Sequence, residues 1–341
     1  NPMPLSDYID VFVIGEGEVT INKFLDIYLE NKNLDNFLDM DGIYIPKFNN
    51  NAKIALIDDM KNAYHITQPI ITKTDKEDYK TVFSDSIMLN VSRGCTRGCR
   101  FCMSSYLYRP LRETTIKELV NIALKTRENT NLNKITLIGA AVGDYYDLEG
   151  LTKALESEGF QIATPSLRID SLSRETLETL KKSGLKSITI APESISTLRE
   201  INKSISDEKI FSVIKNAVDL DFNIKLYFLI GIPYESKEDI EELANYIEKI
   251  ANMHKNRNYI KFSINPVIPK PQTPLQWEVY NFKEIKSKTR YLKKKLRKYN
   301  VKFESPKKGL IQYILSCGNR EVGAVIEKSL TEEVTLKEWQ S

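Results

Sequence analysis

Three of the chain's four cysteines fall within eight residues, at Cys95, Cys99 and Cys102 in the run CTRGCRFC. Thiolates are soft metal ligands, and a short irregular loop lets ligands at this spacing meet at one centre. Gly94 and Gly98 supply the backbone freedom such a loop needs. The number of ligands narrows the chemistry. A structural zinc ion is normally closed by a fourth Cys or His, and the two histidines, His65 and His254, are distant in sequence. An iron–sulfur cubane normally takes four cysteines; with three, one iron stays open to a substrate or cofactor. An open iron is a reaction centre. A zinc-stabilised binding protein is the contrasting class, and zinc found without iron would identify it.

Such a centre needs a scaffold, and the surrounding sequence predicts one. Apolar strands are expected at 87–92, 134–139, 160–169, 187–191, 223–231 and 260–268. Helices are expected at 115–127, 151–158, 173–182, through Leu220, and at 237–250. Strands that each lead into a helix or long loop argue for a parallel sheet, curled by right-handed crossovers toward a full or partial βα barrel. Ligands in such folds sit at the carboxyl ends of the strands. The cysteine loop directly follows the first strand. The runs GAAVGDYY, RID, APES, GIPYE and PVIPKPQTP follow the others, so unusual loops gather at one face.

The pattern CxxxCxφC, with aromatic Phe101 at φ, resembles the radical S-adenosylmethionine (radical SAM) superfamily. The resemblance implies that Cys95, Cys99 and Cys102 hold a [4Fe-4S] cluster whose open iron chelates the amino and carboxylate groups of SAM. One electron, from a flavodoxin- or ferredoxin-type donor, then cleaves the sulfonium to a 5′-deoxyadenosyl radical. Gly139, Ala140 and Ala141 stand where the family usually shows a Gly-Gly-Glu-like turn whose backbone oxygens meet the SAM amino group. The acidic member is missing, and Asp144 is the nearby substitute. Arg168 offers a cation for a carboxylate, or else a salt bridge to Asp170. Glu193 and Ser194 are similar to the polar pair that reaches the SAM ribose. Gly231–Ser236 resembles the GxIxGxxE turn, where Ile232 would flank adenine, as would the backbone near Pro266–Ile268.

Within the superfamily the chain most resembles the cobalamin-associated branch, which implies a cobalamin-dependent C-methyltransferase acting on an unactivated carbon. NPMPLSDYIDVFVIGEGE resembles the closing strand and helix of a cobalamin-binding Rossmann domain, with a buried strand at Val11–Ile14 and a helix from Thr20 to Leu29. The body of that domain and an Asp-x-His-x-x-Gly cobalt-ligand signature are absent from the sequence. The expected fold class is therefore α/β: a partial (β/α)6 TIM-like barrel of the radical SAM type. It carries an N-terminal remnant of a Rossmann-like domain (1–33), a linker with short strands (34–84), a core (85–270) and a C-terminal helical extension (271–341). Radical SAM oxidation, cyclisation or rearrangement without cobalamin is the alternative. A tRNA-modifying methylthiotransferase would carry a second three-cysteine set, which this sequence lacks.

Other residues carry weaker signals. Tyr106, Tyr108, Arg109 and Arg112 follow the cluster loop and are candidates for lining a substrate or cobalamin region, or for packing beneath the loop. Cys317 is expected to be a small buried apolar residue; the sharper reading brings the tail over the barrel mouth, so that Cys317 meets cluster or cobalt. The helix 283–298 is amphipathic with a lysine-rich outer face. Without an aromatic stacking platform the reading is against nucleic acid. A net charge of +3 adds nothing to that case. No apolar run is long enough to span a bilayer, no leader is evident, and clustered cysteines suit a reducing compartment, so a soluble cytoplasmic enzyme is expected. The Lys/Ile/Asn-rich composition is archaeal-like, by association. A protein or peptide side chain is one candidate substrate.

Overall fold

Short apolar runs separated by capped helices fold into an arc of parallel strands. A computed structural model describes all residues except 72, 73, 75, 81, 82, 84, 165, 166, 196–200, 204, 257 and 341. The N-terminal segment holds β1 (Phe12–Val13), α1 (Gly17–Glu30) and β2 (Ile43–Tyr44). Next come β3 (Ile87–Asn90), β4 (Ser92–Arg93), α2 (Ser104–Leu107), β5 (Arg112–Glu113) and α3 (Ile116–Thr130). The chain continues through β6 (Lys134–Ile138), α4 (Leu148–Ser157), β7 (Gln161–Ala163), α5 (Arg174–Lys182) and β8 (Ser187–Glu193). Then follow α6 (Asp207–Asp219), β9 (Asn223–Ile230), α7 (Lys237–Ala251), β10 (Ile260–Pro266) and α8 (Phe282–Lys295). The tail holds β11 (Val301–Phe303), α9 (Pro306–Cys317), α10 (Val322–Thr331) and α11 (Leu336–Gln340).

Two parallel sheets, β3-β6-β7 and β8-β9-β10-β11, make up the arc. A parallel bridge between Leu167 and Ile190 joins them. The partial barrel expected from the sequence is therefore present, with two corrections. The third strand is not continuous over 160–169: among the described residues its ladder with β6 covers Gln161–Ala163, and Leu167 bridges to β8 instead. The tail is not wholly helical, because β11 adds a parallel strand outside β10, with Ser263 opposite Lys302.

Strand alternation assigns the faces. Ile224, Leu226, Phe228 and Ile230 of β9 are buried, as are Ile210, Val213 and Ile214 of α6 and Ile240, Leu243 and Ile247 of α7, all in one core cluster. The intervening Lys225, Tyr227 and Leu229 therefore face the inside of the arc. Side-chain caps start the helices: Thr115 with Glu118 on α3 and Ser236 with Asp239 on α7 both form capping boxes.

The N-terminal segment differs most from expectation. Only Phe12 and Val13 form a strand, antiparallel to β2, and Val13 is 44% exposed, so this is not a buried strand. In the segment 34–84, Ile43–Tyr44 pairs with β1, Ala55 makes a parallel bridge to Gly15, and Ile70 is fully exposed. Val19, Ile21, Leu25, Tyr28 and Leu29 of α1 are also exposed. Among the described residues no helix is long and apolar enough to cross a membrane.

Candidate active site

The cysteine loop is closed at its base by the antiparallel pair β4–β5, in which Arg93 lies opposite Arg112. Gly94 opens the loop at φ +85°, and a Cβ there would stand 2.3 Å from the Tyr108 carbonyl oxygen. Only glycine fits so close an approach with that backbone. From outside, Asn202 Nδ2 donates to the carbonyls of Arg97 (3.2 Å) and Gly98 (2.9 Å), while the Arg100 amide donates to the Ile201 carbonyl. Tyr106 sits beneath the loop, its hydroxyl donating to the Gly98 carbonyl at 2.8 Å.

Cys95, Cys99 and Cys102 are free thiols lining one cavity of about 200 Å³ with Phe101, Ala140, Ala141, Arg168, Glu193 and Lys203. Burial pushes the Cys99 thiol up, and the Lys203 and Arg168 cations oppose that. Among the described residues no three His, Cys, Asp or Glu side chains converge tightly enough for a single metal ion. A cubane asks for something else: each thiolate takes its own iron, so the sulfurs stand around a central body. Free thiols around a cavity walled by small residues fit that group.

The cavity rim is a chain of alternating charges. Arg97 donates to Asp144 from Nε (2.8 Å) and Nη2 (2.6 Å), and its Nη1 lies 3.2 Å from Asp170. Arg168 in turn holds Asp170 through two bonds of 3.0 Å. Hydrogen bonding to Asp144, opposed by burial, raises Arg97 above its ordinary value. Burial works against the Asp170 carboxylate, but Arg168 and Arg97 still hold it below the usual range. The two readings of Arg168 thus coincide: it pairs with Asp170 and also lines the cavity. Arg97, whose cation ties Asp144 to the rim, carried no motif and was missed.

Glu193, at φ +70°, accepts from Lys203 Nζ at 2.9 Å in a buried pair. Burial pushes the Glu193 carboxyl up, against the pull of Lys203. Ser194 is buried but does not line the cavity, and Gly139 is packed so that a Cβ would meet Ser92 Oγ at 2.8 Å. Phe101 packs with Ile201, Ile232, Val267 and Leu275, bringing the residues expected around adenine into one apolar cluster. Phe101 also borders a second cavity of about 350 Å³ with Leu229, Asn265 and Pro266–Ile268.

Three candidates lie elsewhere. Arg112 is 6% exposed and spends its guanidinium on Glu16, Ile57 and Tyr108, so it is a structural residue outside the cavity. Tyr108 is exposed and contributes its backbone carbonyl to that bond. Cys317 is exposed, contrary to expectation; its thiol lies 3.4 Å from the Pro269 carbonyl and does not line the cluster cavity.

Residues 89–247 match the Radical SAM superfamily. The chain is 34% identical to an uncharacterized protein of Methanocaldococcus jannaschii, covering 96% of this chain and 71% of that one. It is 24% identical to an uncharacterized methyltransferase of Pyrococcus horikoshii, over 79% of this chain and 58% of the relative. Its fold is similar to the radical S-adenosylmethionine methyltransferase TsrM of Kitasatospora setae, solved with cobalamin and a [4Fe-4S] cluster. That match has a TM-score of 0.61 and 10% identity, over 82% of this chain and 55% of that one. The chain thus spans little more than half the length of the latter two proteins. A three-cysteine loop at the strand ends of a partial barrel and a close relative across nearly the whole chain agree: this protein belongs to the radical SAM superfamily.

Proposed function

We propose that this radical SAM enzyme is a cobalamin-dependent C-methyltransferase. The observation that carries the proposal is the attachment of residues 15–18 to the cluster loop. Glu16 and Glu18 bind Arg112 and Arg93, the paired residues at the base of the loop that holds the three cysteines. A segment resembling the end of a cobalamin-binding unit is thereby locked to the loop that would hold the cluster. The exposed apolar side chains of α1 give such a unit a surface to pack on. The methyltransferase naming of the Pyrococcus relative, and the cobalamin of TsrM, support the same reading.

When bound, the cluster supplies the electron that cleaves SAM, and cobalamin supplies the methyl group. The chain's own residues position and exclude. Cys95, Cys99 and Cys102 hold the cluster. Ala140 and Ala141 leave room for the SAM amino group to approach the main chain. Phe101, Ile232 and Val267 would enclose the adenine, and Glu193, oriented by Lys203, would face the ribose. The overall reaction replaces one substrate hydrogen by methyl. Two SAM and two electrons from an external donor yield S-adenosylhomocysteine, methionine and 5′-deoxyadenosine, which carries off that hydrogen.

Anaerobic reconstitution with iron, sulfide, SAM, reductant and substrate tests this. S-adenosylhomocysteine and deoxyadenosine are expected to form together only when methylcobalamin is supplied. Deoxyadenosine formed alone, with substrate present, would exclude methyl transfer and favour an oxidation, cyclisation or rearrangement.

A further inference from the structure

The inner face of the arc is unusual for a βα barrel. A closed barrel interior is filled by layers of branched apolar residues. Here β9 and β10 turn Lys225, Tyr227, Lys261 and Ser263 inward, since their neighbours Ile224, Leu226, Phe262 and Ile264 belong to the outer core. Lys261 stands directly opposite Lys225, and Thr189 of β8 flanks Lys225 on its other side. One residue pair further up, Lys302 of β11 stands opposite Ser263, again turned inward because Val301 and Phe303 pack on the outer core. Lys225 Nζ donates to the Tyr227 hydroxyl at 2.5 Å. Among the described residues, none of Lys225, Lys261 and Lys302 makes an ion pair with a carboxylate. The carboxylate of this row, Glu304, lies two residues above Lys302 and borders the cavity shared with Phe101 and Asn265. The opposite arm of the arc contributes Met88, 60% exposed, and, by the same alternation, Lys134, whose neighbours Ile135 and Leu137 belong to the core.

We propose that this lysine row is the anchor for an anionic group of the substrate, a phosphoryl or a carboxylate. The proposal rests on the radical SAM reading of the site and supplies the substrate class it leaves open. Cations focused within a concave wall attract an anion far more effectively than scattered surface lysines do. The row also sets a length. Lys225 and Lys261 are four residues below the Leu229–Asn265 layer that borders the Phe101 cavity, a separation of about 13 Å at ~3.3 Å per strand residue. The substrate is therefore elongated: its anionic end is held toward the amino ends of β9 and β10, where Lys261 and Lys302 are open to solvent, and the carbon to be attacked reaches the cluster side.

The experiment uses the full chain and two probes, inorganic pyrophosphate and citrate. Amine-reactive acylation is followed site by site by mass spectrometry. Either probe is expected to slow labelling of Lys225 and Lys261 at least about tenfold while exposed Lys294 on α8 labels unchanged. Equal labelling with and without both probes overturns the proposal. Stronger protection by pyrophosphate assigns a phosphoryl group, and stronger protection by citrate a carboxylate. The double variant Lys225→Gln/Lys261→Gln should bind the better probe at least about tenfold more weakly, about 1.4 kcal/mol. Unchanged affinity in a folded variant would also overturn it. Neither readout requires SAM cleavage. Protection without methyl transfer leaves the anchor standing and removes the methylase reading; methyl transfer without protection does the reverse.

Discussion

Glu16 accepts both arms of the Arg112 guanidinium, at 2.8 Å and 3.1 Å, and its Oε2 also takes the Ile57 amide proton at 2.7 Å. Both side chains are 6% exposed, so the pair is buried between the N-terminal segment and the base of the cysteine loop. Removing one member of such a pair leaves an uncompensated charge, typically costing about 3 kcal/mol or more. Glu16→Gln is expected to lower unfolding stability by about that amount and to speed hydrogen exchange at the Ile57 amide. Glu16→Gln/Arg112→Met should recover part of the loss. If the two single effects simply add within about 0.5 kcal/mol, the residues are not coupled.

Gly15, next to that carboxylate, sits at φ +122° with its Cα facing the Ala55 backbone; a Cβ there would come within 2.1 Å of the Ala55 carbonyl oxygen. That oxygen accepts the Glu16 amide proton at 2.7 Å, so the contact cannot open without losing the bond. Gly15→Ala should therefore destabilise the segment by about 2 kcal/mol or more. Limited proteolysis between residues 30 and 60 would register the loosening. An unaltered cleavage pattern and melting curve would show that the close approach is not needed.

Each of Cys95→Ala, Cys99→Ala and Cys102→Ala should lose bound iron and deoxyadenosine formation, by about a hundredfold or more. Cys317→Ala should keep both, because Cys317 is exposed and does not line the cavity. Iron and sulfide counts after anaerobic reconstitution decide it. Full iron in any of the three, or its loss in Cys317→Ala, would break the assignment.

The arc and the cysteine loop were readable because their signals are local. Apolar runs of β9 and β10 have period two, and the thiols are clustered in sequence. Of the ion pairs at the rim, Arg168–Asp170 was readable, but Arg97–Asp144 and Lys203–Glu193 were not, since nothing in the sequence pairs their residues. The sequence left Arg112 between lining a substrate region and packing beneath the loop, because its partner, Glu16, lies 96 positions earlier. The strand β11 was hidden for another reason. Val301–Phe303 is too short for its alternation to stand out after a lysine-rich helix. Val11–Ile14 misled in the opposite direction: an apolar run reads as buried, yet Val13 is open.

Glu18 gives a pH test. Its hydrogen bond to Arg93, at 2.7 Å, outweighs partial burial and lowers the carboxyl from 4.5 to about 2. A carboxyl depressed in the folded state stabilises fully above its unfolded value and loses that contribution as pH falls through its folded one. Docking of residues 15–18 should therefore weaken between about pH 4.5 and 2, measured on metal-free protein by hydrogen exchange at the Tyr64 amide, which donates to Glu18. Glu18→Gln should flatten its share of that dependence. An identical pH profile in the variant would assign the acid response to other carboxyls.

Phe101 separates the cluster cavity from the cavity beside Leu229 and Asn265, and its ring belongs to the apolar cluster with Ile232 and Val267. Truncating it joins two spaces and removes one wall of the proposed adenine site, without touching a thiol. Phe101→Ala is expected to retain iron while SAM affinity falls about tenfold, equivalent to about 1.4 kcal/mol. Phe101→Leu should restore most of the affinity, since it refills the apolar wall. Ile232→Ala should act in the same direction but less, having fewer atoms to lose. Equilibrium dialysis with SAM, alongside iron content, separates the possibilities. Iron lost together with affinity would make Phe101 a support of the loop, whereas unchanged affinity would place the adenine elsewhere.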